Sequence, residues 1–191
     1  HCHDNYGKRV IQRLNDFGVL NSSKTILGHC LHIDDNERKI IKDSKAFVVQ
    51  NMESNLNNKV GYFNAKDLGS KIMLGTDGMH SDMLQSAKAA FFVGQGFDNI
   101  SFVTAYERFR KVHDYIALNN FEGDGENNLV VLDYDSPTII NQENFLGHFI
   151  FGINSNHVND VISNGKVIVR NRKIQQVNES EILEFSKEQS L

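Results

Sequence analysis

Three short apolar runs constrain this chain more than any other feature. They are Thr25-Ile26-Leu27-Gly28-His29, Ala46-Phe47-Val48-Val49-Gln50 and Lys71-Ile72-Met73-Leu74-Gly75. Each has strand length, is apolar on successive residues, and runs into a polar stretch. Such runs suit strands buried on both faces, and helical patterns between them indicate βα units around a parallel sheet. Val10, Ile11, Leu14 and Phe17 recur at helical spacing up to Gly18. Asp34, Asp35 and Asn36 supply N-cap chemistry for a helix through Ile40 and Ile41. A further helix is expected from near Ser81, and a long amphipathic one over 102–118.

Three βα units cannot close a sheet on themselves. The expected fold class is therefore α/β, with residues 1–122 forming the back of a larger barrel and 123–191 a β appendage. In that second region Gly123-Asp124-Gly125 reads as a turn, and Asn128 to Asp133 as a strand. Asn164-Gly165 between β-branched runs is a strong hairpin signal. The tail from Ser180 to Leu191 reads as a short surface helix. The chain opens on His1 in what looks like the middle of a helix, so a fragment lacking its front is the expectation.

Charge narrows the function classes. Twenty Lys and Arg against twenty-four Asp and Glu leave −4, which argues against nucleic acid or an anionic membrane as partner. No apolar run approaches the roughly 20 residues that span a bilayer. Two cysteines, Cys2 and Cys30, make no disulfide framework, which points to a reducing, cytoplasmic compartment.

In α/β sheets and barrels, ligands bind at the C-terminal strand ends. Here those ends bring Gly28-His29-Cys30-Leu31-His32, Asn51-Met52-Glu53-Ser54-Asn55 and Gly75-Thr76-Asp77-Gly78-Met79-His80-Ser81-Asp82 to one mouth. His and Asp are natural Zn²⁺ ligands, and such a site brings the pKa of bound water to about 7. Taken alone, the pair reads equally well as a hydrogen-bonded strand-end His and a helix-capping Asp. His32 reads as a loop residue, His80 as a substrate-facing candidate, and His113, His148 and His157 as surface or packing residues. Cys30 reads as a small buried hydrophobe, and Glu122 to Glu126 as a solvated acidic turn. His1-Cys2-His3-Asp4 mimics a metal-binding pair, but positions i and i+2 do not share a helix face.

The ordered combination of His29-Cys30-Leu31-His32, Ser54-Asn55-Leu56-Asn57-Asn58, Val60-Gly61-Tyr62 and Leu74-Gly75-Thr76-Asp77-Gly78-Met79 resembles the amidohydrolase superfamily. The similarity is to its branch of aminohydrolases and chlorohydrolases acting on purines, pyrimidines and triazines. The resemblance implies a (β/α)₈ TIM-type metallo-hydrolase barrel with a composite β-sandwich. This chain would hold the sixth to eighth units and the C-terminal sandwich strands. It implies that His29, ending strand six, and Asp77, ending strand eight, are the catalytic and metal-facing pair, with Ser54 and Asn55 at the substrate-facing mouth beside His80. The implied activity is loss of an exocyclic amine from a small heterocycle through a metal-bound hydroxide. The metal would be zinc first, with iron or manganese as alternatives. A chlorohydrolase on the same scaffold, or a non-catalytic fragment, are the competing readings. The strand-one His-x-His and the strand-five His and Glu are absent from these residues, so an N-terminal half is the expected partner, with room for a homo-oligomer. Gln50-Asn51-Met52 departs from the family's His-Asn-Pro.

Overall fold

The computed structural model describes residues 2–122, 125 and 127–190. His1 of the His-x-His mimic, Gly123 and Asp124 of the expected turn, Glu126 of the acidic stretch and Leu191 of the tail lie outside the described residues.

Two short helices come first, α1 (Cys2–Tyr6) and α2 (Val10–Asp16), broken at Gly7, whose φ of 65° is left-handed. Three βα steps follow: β1 (Ile26–Gly28), α3 (Asp35–Asp43), β2 (Phe47–Gln50), α4 (Met52–Asn57) and β3 (Ile72–Leu74). Two longer helices, α5 (Met83–Phe97) and α6 (Phe102–Leu118), close this part. The strands form one parallel sheet in the order β1-β2-β3, with Leu27 opposite Val48 and Val48 opposite Ile72. Asp34 caps α3 through the Glu37 amide, Asp82 caps α5 through Gln85 and Ser101 caps α6 through Thr104, each satisfying an otherwise orphan N–H.

The polar stretch after β2, read from sequence without regular structure, is helical. α4 begins one residue past the strand, and Ser54 and Asn55 lie on its buried face. Propensity does not favour so Asn-rich a helix; burial of Met52, Ser54 and Asn55 against the sheet overrides it.

The appendage contains β4 (Leu129–Leu132), a short helical turn α7 (Phe145–Gly147), a π-helical turn over His148–Gly152, and β5 (Val158–Ser163), β6 (Lys166–Arg170) and β7 (Lys173–Ile174). Its strands run antiparallel in the order β4-β5-β6-β7. The Asn164-Gly165 turn has φ of 49° and 74°, which matches the two positive-φ positions of a type I′ hairpin. Helix α8 (Glu179–Gln189) ends the described chain.

Two apolar clusters hold these elements. Ile11, Leu20, Leu27, Ile41, Val48, Phe63 and Ile72 pack between the sheet and its first helices. Leu74, Ala87, Ala90, Ile100, Ala105, Phe149 and Ile150 join β3, α5 and α6 to the 145–152 segment. Phe91, on α5, stacks on Phe102 at 4.7 Å and meets Phe151 edge-on at 6.2 Å, which ties the appendage to the barrel part. All four residues of β4 are exposed, and Ile26 on the outer strand β1 is 46% exposed. The accessible surface is 12383 Å². A compact monomer of this mass exposes about 9,200 Å², so the chain carries roughly a third more surface than its size requires.

Candidate active site

The C-terminal ends of β1 and β3 flank that of β2, and the backbone there is forced into an uncommon region. His29, Cys30 and Asp77 all have left-handed φ, at 64°, 50° and 55°. For residues with a Cβ this costs energy, and such strain gathers at functional sites. Hydrogen bonds hold the turns in place: His29 N–H donates to the Val49 carbonyl at 3.0 Å, and Gly75 N–H to the Gln50 carbonyl at 3.0 Å. Gly75 is required by close approach, since a Cβ there would stand 2.4 Å from Asn51 Oδ1 and 2.6 Å from Val49 Cγ1.

These turns bring His29 Nε2 to 3.5 Å from Asp77 Oδ2. Each side chain is anchored by α4. Asn55 Oδ1 lies 2.7 Å from His29 Nδ1 and accepts a hydrogen bond from its N–H, leaving the Nε2 lone pair toward Asp77. Ser54 Oγ donates to Asp77 Oδ2 at 2.6 Å, while Asn58 Nδ2 donates to Ser54 Oγ at 3.3 Å and so sets the hydroxyl's direction. The Gly78 N–H donates to Asp77 Oδ1 at 2.8 Å. The Ser54 hydroxyl, then the Gly78 amide, hold the Asp77 carboxyl below the ordinary carboxylate range. It is ionised at neutral pH.

His80 stands at the same mouth. Its Nε2 is 2.7 Å from Glu53 Oε2, and its Nδ1 accepts the Asp82 N–H at 2.9 Å. Gln85 Nε2 donates to Glu53 Oε1 at 2.6 Å.

All five residues singled out from sequence, His29, Ser54, Asn55, Asp77 and His80, therefore lie in one array. Asn55 occupies a different place from the one expected. It is fully buried and meets His29 rather than open space, and its Nδ2 has no partner. Sequence reasoning assigned no role to Glu53, Asn58 or Gln85, because nothing in the spacing tells which polar residues of a helix and a distant loop will face each other. It also left the anchor behind the first turn unseen. Glu37, 2% exposed, accepts from Arg9 Nε at 2.7 Å and from the Ile11 amide at 3.1 Å, and the Arg9 guanidinium also donates to the His32 carbonyl. That places His32 as a backbone anchor of the loop. Cys30 is buried as expected, and burial pushes its thiol up to about 11.

The residues fit a divalent ion on the donor geometry. Two ligands of a tetrahedral zinc stand about 3.4 Å apart when their bonds are near 2.1 Å, which is close to the His29–Asp77 separation. Among the described residues, no group of three or more His, Cys, Asp or Glu is placed to hold a metal ion. An open cleft of about 460 Å³ lies elsewhere, along the free edge of β1, lined by Ile26, Gly28, Arg9 and Glu37 among others.

The amidohydrolase family model matches residues 1–108. The chain belongs to the amidohydrolase family. Its relatives lie in the aminohydrolase branch. It is 29% identical to the 5'-deoxyadenosine deaminase of Methanococcus maripaludis strain C7, over 95% of this chain and 46% of that protein. It is 26% identical to the 5-methylthioadenosine/S-adenosylhomocysteine deaminase of Thermoanaerobacter pseudethanolicus, over 93% and 45%. In fold it is similar to the zinc-bound adenosine deaminase of Xanthomonas campestris, with a TM-score of 0.81 at 20% identity, over 98% of this chain and 46% of that one. The chain thus spans about half the length of the curated relatives it matches. This accords with the expected C-terminal part of an α/β amidohydrolase barrel. No helix among the described residues is long and apolar enough to cross a membrane.

Proposed function

We propose that this chain is the C-terminal part of a hydrolase that deaminates a heterocycle, with residues 1–122 supplying half of the barrel mouth and 123–191 the sandwich strands. The observation that carries the reading is the pair His29 Nε2 and Asp77 Oδ2, 3.5 Å apart beyond the C-terminal ends of the strands that flank β2 and each oriented by α4. His29 and Asp77 would hold a divalent ion, zinc in the first instance, together with ligands from outside this chain. When bound, that ion supplies Lewis-acid activation of water at neutral pH.

The chain's own residues do the rest. Asn55 keeps His29 with its proton on Nδ1, so that the single Nε2 lone pair would be left for the ion. Asp77 would receive the proton that the water releases as its oxygen bonds to the ring carbon bearing the amine, and would return it to that amine, so that the C–N bond breaks with loss of neutral ammonia and the carboxylate is restored. Proton delivery to the ring nitrogen falls to a group outside these residues. Ser54 holds Asp77 in place throughout. The names of the relatives put adenosine-type nucleosides first among substrates, and the Tyr6-Gly7-Lys8-Arg9 and Asn144-Phe145-Leu146-Gly147-His148 runs resemble the SsnA aminohydrolases. Two free cysteines suit a cytoplasmic enzyme.

The test is a screen of the zinc-loaded, full-length protein against adenosine-type nucleosides, purine and pyrimidine bases, and chlorinated triazines. Ammonia release from at least one aminated heterocycle is expected. Chloride release alone would replace the reading with a chlorohydrolase, and no release from any compound would overturn it.

A further inference from the structure

One carboxylate at the mouth is unused by this chemistry. Glu53 sits in the first turn of α4, next to Ser54, and its side chain is 22% exposed. Its two oxygens are each gripped once: Oε2 by His80 Nε2 at 2.7 Å and Oε1 by Gln85 Nε2 at 2.6 Å. The Asp82 amide donates to His80 Nδ1 at 2.9 Å, so the imidazole carries its proton on Nε2 and grips Glu53 as a neutral donor. No Lys or Arg pairs with Glu53 among the described ion pairs. A carboxylate has about four acceptor positions, so two remain, one on each oxygen, in a plane fixed by His80 and Gln85.

We infer that Glu53 is the specificity residue for a vicinal diol on the substrate, the two hydroxyls of a ribose in a nucleoside. The inference rests on the proposed deaminase reading. Two free acceptor positions on one rigid carboxylate match two adjacent O–H donors, and a side chain already fixed by protein loses little freedom on binding. Glu53 precedes Ser54, which holds Asp77, and its partner His80 lies three residues beyond Asp77 in the loop after β3. His80 and Gln85 act as positioning residues, coupling the loop after β3 to the start of α4. The bare alternative is a latch between those two elements that touches no substrate.

The test uses the full-length protein and two probes, adenosine and 2',3'-dideoxyadenosine, with binding measured by calorimetry on metal-free protein and turnover measured on zinc-loaded protein. Hydrogen bonds to a charged group predict that the native protein binds adenosine at least about tenfold more tightly. Glu53→Gln and Glu53→Ala should abolish that ratio, while binding of the dideoxy compound stays within about threefold. His80→Ala should reduce the ratio by loosening Glu53. A ratio that survives Glu53→Ala, equal weakening of both probes, or no preference in the native protein would each overturn the inference. Absence of turnover with the binding ratio intact would strike the deaminase reading instead, so the two failures are distinguishable.

Discussion

Replacing Asn55 by Leu separates positioning from folding at this site. Asn55 is fully buried, and its only side-chain partner among the hydrogen bonds described is His29 Nδ1 at 2.7 Å; its own Nδ2 is unpartnered. The substitution removes one hydrogen bond and leaves the imidazole nitrogen unsatisfied, at a cost of about 1–3 kcal/mol. It also removes a buried N–H without a partner, which recovers an amount of similar size, about 1–3 kcal/mol. Leu has the same number of side-chain heavy atoms as Asn, with methyl groups in place of the amide oxygen and nitrogen, so the added bulk is small. Net stability should therefore change by no more than about 1 kcal/mol, whereas turnover should fall roughly 10- to 100-fold, the usual cost of losing the partner that orients a metal-facing His. Asn55→Asp keeps an acceptor at Nδ1 and should recover a large part of the turnover per folded molecule. The measurements are denaturant unfolding, metal content and steady-state deamination on the full-length protein. Unchanged turnover in the Leu variant would refute the positioning role. So would a stability loss above about 3 kcal/mol with turnover per folded molecule intact.

Asp77→Asn in the full-length protein should abolish turnover and weaken metal retention, since it removes both the anionic donor and the proton acceptor; near-normal activity would sink the assignment. His29→Asn should lower turnover about 100- to 1,000-fold with the fold intact, while His3→Asn on α1 should shift stability by less than about 0.5 kcal/mol. At Asp82, burial favours the neutral acid but is outweighed by the Ser155 hydroxyl and the Gln85 and Leu84 amides, so its carboxyl lies below the ordinary value. Its contribution to stability is complete above the unfolded value of about 3.9 and is lost as pH falls through the lower, folded value. Asp82→Asn, which still caps α5 but cannot ionise, should lose that contribution at neutral pH and converge with the native protein as pH falls, flattening the acid limb of unfolding; an unaltered acid limb would refute the reading. Finally, the 191-residue chain expressed alone should bind hydrophobic dyes and self-associate, because its 12383 Å² surface exceeds that of a compact monomer by about 3,000 Å². A stable, dye-silent monomer would contradict this.

Sequence alone determined the elements whose causes are local. The apolar runs of β2 and β3 became strands because their side chains are buried on both faces, while β1, of which only Leu27 is buried, is held by its pairing with β2. Asp34 and Asn164-Gly165 marked a helix start and a hairpin through cap and turn chemistry that acts within a few residues. The placement of His29 and Asp77 at one mouth was legible because a parallel sheet presents its strand ends on one side, and the family resemblance singled the two out there. Tertiary structure decided the contacts between segments distant in sequence. The helix over Met52–Asn57 exists because burial against the sheet outweighs a weak propensity, and only that burial turns Asn55 onto His29 and away from solvent. The grip of His80 and Gln85 on Glu53 joins residues 27 and 32 apart. The Arg9–Glu37 pair joins residues 28 apart. Hydrogen bonds are short-ranged and directional, so which polar side chains meet depends on where packing sets the helices, a quantity that spacing along the chain does not carry.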